Sequence, residues 1–377
     1  VQQVKETVVE CTGPRAIFDA RKPTEEEIER EVVPSYADMP NFLKPFQRFV
    51  NAFGVGSYRE IEPTLMFAIS FLLMFGIIFG DLGHGLCLLG IGVLLRRWAS
   101  QSIHRDVGYM MAAAGGCSAV VGTFFQGSVF GHSLTDLGWK WTLGQEPLRF
   151  EEGVGTGENV VRYMLIAVGF GVALISTGIV LNIIERLRAG DYETGLLGRF
   201  GLAGIVFYWG AIGTLLKFIL LGSGPSDLWL LLGVVVLPLL ILALHEPIYS
   251  LLTGRERLWR EAPVFGLFEG GLEVMETVMS YIANTFSFLR VAAFALSHVA
   301  LSFTIFILQK EVARIPAGPV WSAVVFVLGT AVILGLEGLI VAIQIFRLEY
   351  YEFFSKFFRG EGREYRPFHL GGETSEE

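Results

Sequence analysis

Asn-Thr-Phe-Ser-Phe-Leu-Arg-Val-Ala-Ala-Phe-Ala-Leu-Ser-His (284–298) and Leu-Ile-Val-Ala-Ile-Gln-Ile-Phe-Arg-Leu-Glu (339–349) decide the fold. Each is apolar, and each carries one arginine in its interior, Arg290 and Arg347. Guanidinium does not shed its proton in a protein, so neither residue escapes its desolvation cost by becoming neutral. Insertion scales put that cost at about 2.5–3.5 kcal/mol each at mid-helix. A fixed cation held inside a membrane calls for a reason, and the usual one is an ion path.

The rest of the chain agrees with a membrane setting. Of its 377 residues 52% are hydrophobic and 18% are charged, the mean hydropathy is +0.53, and several apolar runs approach or exceed the roughly 20 residues needed to cross hydrocarbon. The net charge of −8 lies mostly in the ends and one loop. No basic block points to nucleic acid. Cys11, Cys87 and Cys117 show no metal-ligand spacing, and the last two lie in apolar segments as small hydrophobes. No cofactor or metal is expected. GxxxxGK[ST], GxGxxG after a strand, HExxH and CxxC do not occur, so the chain by itself is read as binding and hydrolysing no nucleotide. The opening Val-Gln-Gln, with neither a starter Met nor a signal-peptide core, reads as a piece of a longer protein.

Three regions follow: a polar, Glu- and Pro-rich lead-in over 1–62 with a short amphipathic helix near 41–53, a membrane region over 63–358, and a tail over 359–377. Apolar segments lie at about 64–79, 82–96, 107–131, 161–184, 200–222, 227–252, 284–309 and 318–346. Only Gly80–Gly85 divides the first two. Arg and Lys cluster at 96–105, 186–199, 255–260 and in the tail, whereas the loops 132–160, 222–226 and 310–317 carry few. The positive-inside rule puts all four clusters in the cytoplasm. That parity requires a Gly-broken hairpin over 64–96, which gives an all-α integral membrane protein of eight transmembrane helices with both termini cytoplasmic. The helical pattern runs without an interior Pro or a Gly pair from about 272 to 309 and again from about 318 to 358. Each is around 40 residues, or about 60 Å, twice the hydrocarbon thickness, so these last two helices protrude or are strongly tilted.

The candidate site residues lie on those two helices. Glu276 precedes Arg290 by about four turns, with Ser280 and Ser287 near that face and His298 two turns beyond. Glu337 precedes Arg347 by about three turns, with Gln344 between. Titratable groups at staggered depths around a permanent cation are the parts of two half-paths meeting at a charge barrier. The competing reading pairs Arg290 and Arg347 with Glu276 or Glu337 in structural salt bridges. Asp81 and His84, at the Gly-rich break, are read as satisfying freed backbone groups. Glu185 and Arg186 are read as interfacial, and Glu246 as structural.

A set of motifs resembles the membrane half of the large stator subunit of V/A-type rotary ATPases, called subunit a or subunit I. They are Gly-Val-Gly-Ser-Tyr-Arg-Glu-Ile-Glu-Pro-Thr (54–64), Phe-Gly-Asp-Leu-Gly-His-Gly (79–85), Gly-Ser-Val-Phe-Gly (127–131), Ser-Phe-Leu-Arg-Val-Ala-Ala-Phe-Ala-Leu-Ser-His (287–298), Glu-Gly-Leu (337–339), Arg-Leu-Glu-Tyr-Tyr-Glu-Phe-Phe-Ser-Lys-Phe-Phe (347–358) and Gly-Glu-Gly-Arg-Glu-Tyr-Arg-Pro-Phe (360–368). The resemblance covers nearly everything from residue 34 onward. It implies eight membrane helices, the last two tilted against a rotating ring of proteolipid (c/K-type) subunits, with other membrane-sector and peripheral-stalk subunits as further partners. It places the family's two arginines on Arg290 and Arg347, its cytoplasmic half-channel on Glu276 and Ser280, and the acid and histidine of the other side on Glu337 and His298. Glu349 and Gln344 stand where eukaryotic members commonly carry His, a pattern similar to bacterial and archaeal members, so the bacterial or archaeal plasma membrane is the expected location. A self-contained secondary transporter and a structural membrane anchor are the rival readings.

Overall fold

The computed structural model describes residues 33–133 apart from 59, 127 and 131, then 157–222, 227–244 and 263–365, together with Arg21, Pro23, Thr24 and Glu27. Cys11, Glu246, the basic cluster 255–260, most of the lead-in before 33 and most of the loop 132–160 lie outside the described residues.

The chain is an all-α membrane protein. Helix α1 (Lys44–Phe53) is the short amphipathic helix expected near 41–53, and it buries Pro45, Phe46 and Val50. Its Phe46 ring meets Phe67, Phe71 and Tyr109 edge-on. Helices α2 (Thr64–Ile78) and α3 (Leu82–Trp98) are separate helices that break at the expected Gly-rich segment, with only residues 79–81 between them. The turn between them is closed by Asp81, whose carboxylate caps α3 by accepting from the His84 amide at 2.9 Å. Helix α4 (Ser102–Val121) runs back along α3. Their contact rests on glycines seven residues apart in each helix. A Cβ on Gly85 would lie 2.8 Å from the Gly115 carbonyl oxygen, and one on Gly108 would lie 2.8 Å from the Gly92 carbonyl oxygen. No side chain fits between these backbones, the close approach that small residues permit in membranes.

Helix α5 (Gly157–Ala189) is followed by the short α6 (Tyr192–Leu196), then α7 (Leu202–Leu221). Helix α8 (Asp227–Leu231) passes through a turn widened to i→i+5 hydrogen bonding (Leu232–Val236) into α9 (Leu237–Ala243). Helices α10 (Pro263–Ser287) and α11 (Leu289–Val312) are nearly collinear in sequence. One tightened turn separates them, with the Phe288 amide donating to the Thr285 carbonyl and the Val291 amide to that of Phe288. The sequence pattern predicts no break over 272–309. The break falls where the Phe288 side chain is wholly buried against Gly171 of α5, so packing overrides the run of helix formers.

The final element starts as α12 (Gly318–Val332), widens over Ile333–Glu337, resumes as α13 (Gly338–Arg347), widens again over Leu348–Phe353 and ends in a tight turn, Phe354–Lys356. Both widened turns touch the charged residues: Glu337 ends the first, and the second follows Arg347. Such bulges re-aim side chains and recur at functional sites.

Five helices among the described residues are long and apolar enough to cross a membrane: 102–124, 163–189, 202–220, 268–312 and 318–356. Thr64–Ile78 and Trp229–Ala243 are shorter apolar helices. The core is aromatic. Phe67, Phe71, Phe75 and Phe79, one turn apart on and just beyond α2, form a column in which Phe67 and Phe71 pack on Phe346, and Phe67 also meets Phe354. Strand β1 (Pro34–Ser35) pairs in parallel with strand β2 (Arg363–Glu364), so the lead-in and the tail meet.

Candidate functional site

Glu337, at the end of the first widened turn, faces His298 on α11. The His298 Nδ1 lies 3.1 Å from Glu337 Oε2, and both side chains are buried, 2% and 5% exposed. The other ring nitrogen of His298 and Glu337 Oε1 have no hydrogen-bond partner among the described residues. The imidazole stacks obliquely on Phe79, the end of the aromatic column, with centroids 4.5 Å apart. A second imidazole, His84, meets it edge-on at 5.2 Å, and His84 Nδ1 lies 3.2 Å from Asp81 Oδ1. The same Asp81 oxygen accepts from the Phe130 amide at 2.9 Å. A small cavity adjoins this cluster, lined by His84, Phe130, Ser302, Gln309, Phe326 and Thr330, and the Ser302 hydroxyl is buried there with no hydrogen-bond partner among the described residues. Two imidazoles and two carboxylates thus lie in one buried group fed by three helices. The sequence reading brought His298 and Glu337 together but kept Asp81 and His84 apart as backbone-satisfying residues.

The arginines are arranged differently. Arg290 is half-buried, and its Nη1 is buried without a hydrogen-bond partner among the described residues. Arg347 is exposed, and it lies close enough to Arg290 for the two charges to repel. Among the described residues neither forms an ion pair. That overturns the structural salt-bridge reading: Glu337 is taken by His298, and Glu276 pairs with Arg199 instead. The Glu276–Arg199 pair is largely exposed. Arg199 is set by its own turn, whose backbone carbonyl accepts from the Tyr281 hydroxyl at 2.8 Å. Beside the pair lies an open acidic cavity lined by Glu193, Glu269, Glu273 and Glu276 with Arg199. Ser280, one turn beyond Glu276, is half-buried, and its hydroxyl accepts from the Asn284 side-chain Nδ2 at 3.3 Å. Gln344 is half-buried one turn before Arg347.

Arg347 closes a stripe of exposed apolar side chains on the last helix. Val332, Leu336, Leu339 and Ile343 follow one another at helical spacing and are each more than half exposed. Met275, Met279 and Phe286 do the same on α10. The arginine therefore opens onto an uncovered apolar face.

Two further acids escaped the sequence reading as site candidates. Glu349 is fully buried beside Ser70 of α2. Glu352 is buried next to both arginines. The available signal was their spacing, i and i+3 in an aromatic stretch directly after Arg347. Glu185 of α5 is also partly sequestered, with one carboxylate oxygen buried.

The family described as the V-type ATPase 116kDa subunit family matches residues 1–189 and 269–370. The chain is similar to A-type ATP synthase subunit I of Aeropyrum pernix, 32% identical over 90% of this chain and 52% of the relative. It is similar also to subunit I of Saccharolobus solfataricus, 25% identical over 90% of this chain and 55% of the relative, and of Pyrococcus horikoshii, 27% identical over 100% and 53%. The chain spans about half the length of these curated relatives.

Proposed function

The chain belongs to the V-type ATPase 116kDa subunit family, and from that premise we propose that it is the membrane part of a rotary ATPase stator, forming two proton half-channels against a proteolipid ring. The observation that carries this reading is the state of the arginines. Two guanidiniums on apolar helices have no ion-pair partner among the described residues, and one opens onto an uncovered apolar stripe. A charge so placed is poor as a structural element, because an unpaired cation in low dielectric costs several kcal/mol. It is well placed to meet a carboxylate presented by another subunit.

The mechanism is electrostatic. A ring carboxyl passing Arg290 is stabilised in its ionised form by the opposite charge, so its proton leaves. Arg347 assists from the exposed side. Glu276 and Ser280 line the cytoplasmic path, His298 and Glu337 the path on the other side, and Gln344 hydrogen-bonds beside the barrier without titrating. The arginine field bars a direct proton hop between the two paths, so protons cross only on the moving ring. Eight crossings, the last two tilted along the ring, place both termini in the cytoplasm of a bacterial or archaeal plasma membrane. Other subunits of the complex hold the nucleotide.

The test is ATP-driven proton pumping by the assembled complex in vesicles with Arg290→Ala beside the unaltered protein. Pumping is expected to fall at least tenfold while assembly and soluble ATPase activity persist. Normal pumping returns Arg290 to a structural role and removes this proposal.

A further inference from the structure

The turn that joins α3 to α4 carries cations that the ion path does not use. Helix α3 finishes with Arg96, Arg97 and Trp98, and after three intervening residues the first turn of α4 presents Arg105. The two helix ends lie level, because a Cβ on Gly108 of α4 would stand 2.7 Å from the Arg96 amide nitrogen. Asp106 is the single acid in the sequence from 82 to 133, and Arg48 of α1 holds it at 2.7 Å. Arg96 lies over the Tyr109 ring, 4.8 Å from its centroid. Arg97 and Arg105 are exposed, and among the described residues their side chains form neither an ion pair nor a hydrogen bond. The 186–199 cluster differs, since Asp191 holds Arg186 and Glu276 holds Arg199.

Below these cations the outer face of α3 is apolar. Leu86, Ile91, Val93 and Leu94 are each at least 44% exposed. Val93 lies one turn under Arg97, and Leu94 one turn under Trp98. Gly90 falls between Leu86 and Leu94, and a Cβ there would meet nothing within 4 Å, so the apolar wall has a notch. The opposite face of α3 is the glycine seam against α4. The 17 residues of α3 measure about 25 Å, close to the hydrocarbon thickness. Trp98, 76% exposed, therefore stands where the apolar face ends, at the headgroup depth that indoles favour.

We propose that this helix end is a binding site for an anionic glycerophospholipid. The phosphodiester sits between Arg97 and Arg105, and one acyl chain runs down the notch along Leu86, Gly90 and Leu94. A guanidinium fork engages two phosphate oxygens at once. Charge selects the headgroup: the one nearby acid is already held by Arg48, and a zwitterionic lipid would bring its own ammonium against the two arginines. Arg48 also donates to the Ser102 hydroxyl at 2.9 Å, so the lipid is held at the point where α1 is tied to α4. The site requires only the membrane setting and is independent of the stator reading.

The experiment places the assembled complex in phosphatidylcholine vesicles containing a small share of photoactivatable phosphatidylglycerol or photoactivatable phosphatidylcholine. Both probes carry the reactive group in an acyl chain, and adducts are mapped by peptide mass spectrometry. Each arginine near a membrane surface favours an anionic lipid by roughly fivefold. Labelling of residues 86–98 by the phosphatidylglycerol probe is expected to exceed that by the phosphatidylcholine probe at least fivefold. The double variant Arg97→Gln/Arg105→Gln is expected to lose this excess, with labelling at exposed Leu215 and Ile219 of α7 unchanged. Equal labelling by the two probes overturns the proposal, because it shows ordinary contact with bulk lipid. An excess that persists in the double variant overturns it as well, since other groups then hold the headgroup. If the double variant fails to assemble, Arg97→Gln and Arg105→Gln are compared singly. Each is then expected to lower the excess at least twofold, and an unchanged excess in either one overturns the proposal. Normal pumping by Arg290→Ala removes the stator reading and leaves this site in place.

Discussion

His298 and Glu337 share one buried hydrogen bond, with Phe79 and His84 packed on the imidazole. Removing one member leaves the other's polar atom buried and unsatisfied, which costs about 1–3 kcal/mol. Removing both in favour of apolar side chains costs less than the two single losses added together. His298→Ala and Glu337→Leu are therefore each expected to lower the unfolding temperature of the purified protein in detergent. The double variant should be less destabilised than the sum by about 1 kcal/mol or more. Additive losses in the thermal melts would show that the pair is not coupled. The exposed Arg199–Glu276 pair belongs to a different class, since a solvated ion pair contributes about 0–1 kcal/mol, and its interest lies in position rather than stability. Residue identity made Arg290, Arg347, Glu337 and His298 legible in the sequence, because a charge in an apolar run has no ordinary explanation. Glu352 and His84 were not legible. Their significance comes from what faces them across helices, and spacing along one helix does not encode that.

The elements were largely legible from hydropathy, since apolar runs of this length have few alternatives to helix. Irregularities within the elements were not. The turns at Ile333–Glu337 and Leu348–Phe353 carry no Pro to announce them, and the break at Phe288 is imposed by packing. The break between α2 and α3 was legible from its glycines, yet the feature that seats α3 on α4 is the glycine pairs 85/115 and 92/108. A Cβ at Gly115 would stand 2.5 Å from the Leu89 amide nitrogen and 2.6 Å from the Gly85 carbonyl oxygen. The obstruction is backbone, so it cannot be relieved by turning a side chain. Gly115→Leu is expected to exceed the usual 1–3 kcal/mol of an overpacked core and to separate the two helices. Thermal melts should show a large loss. Gly90→Leu, at a position with open space around it, should change little and serves as the control. Equal effects at the two positions would rule out the seam.

Across the whole molecule, the segments before and after the helices close on each other. Beyond the β1–β2 pairing, the Gly362 amide donates to the Val55 carbonyl at 2.8 Å, and the Tyr365 amide to that of Ser35 at 3.3 Å. The Tyr350 hydroxyl donates to the Phe49 carbonyl at 2.8 Å, so α1 is fixed to the last helix as well. Glu60 is the side chain at the centre of this clasp. One carboxylate oxygen accepts from the Ser57 amide at 2.9 Å and the other from the Arg359 amide at 3.2 Å. Hydrogen bonds to a charged acceptor contribute about 1.5–3 kcal/mol each where solvent is partly excluded. Their geometry fixes where the last helix ends, and therefore how firmly the turn bearing Glu352 and Lys356 is held. Glu60→Ala is expected to release the tail, seen as faster amide exchange at Gly362 and Tyr365 and earlier protease cutting after Arg363. Exchange at Val291 and Ala292, buried in α11, should stay unchanged. Unaltered exchange at Gly362 would mean that the strand pairing alone holds the ends together. Faster exchange at all four positions would mean that Glu60 supports the global fold rather than the clasp.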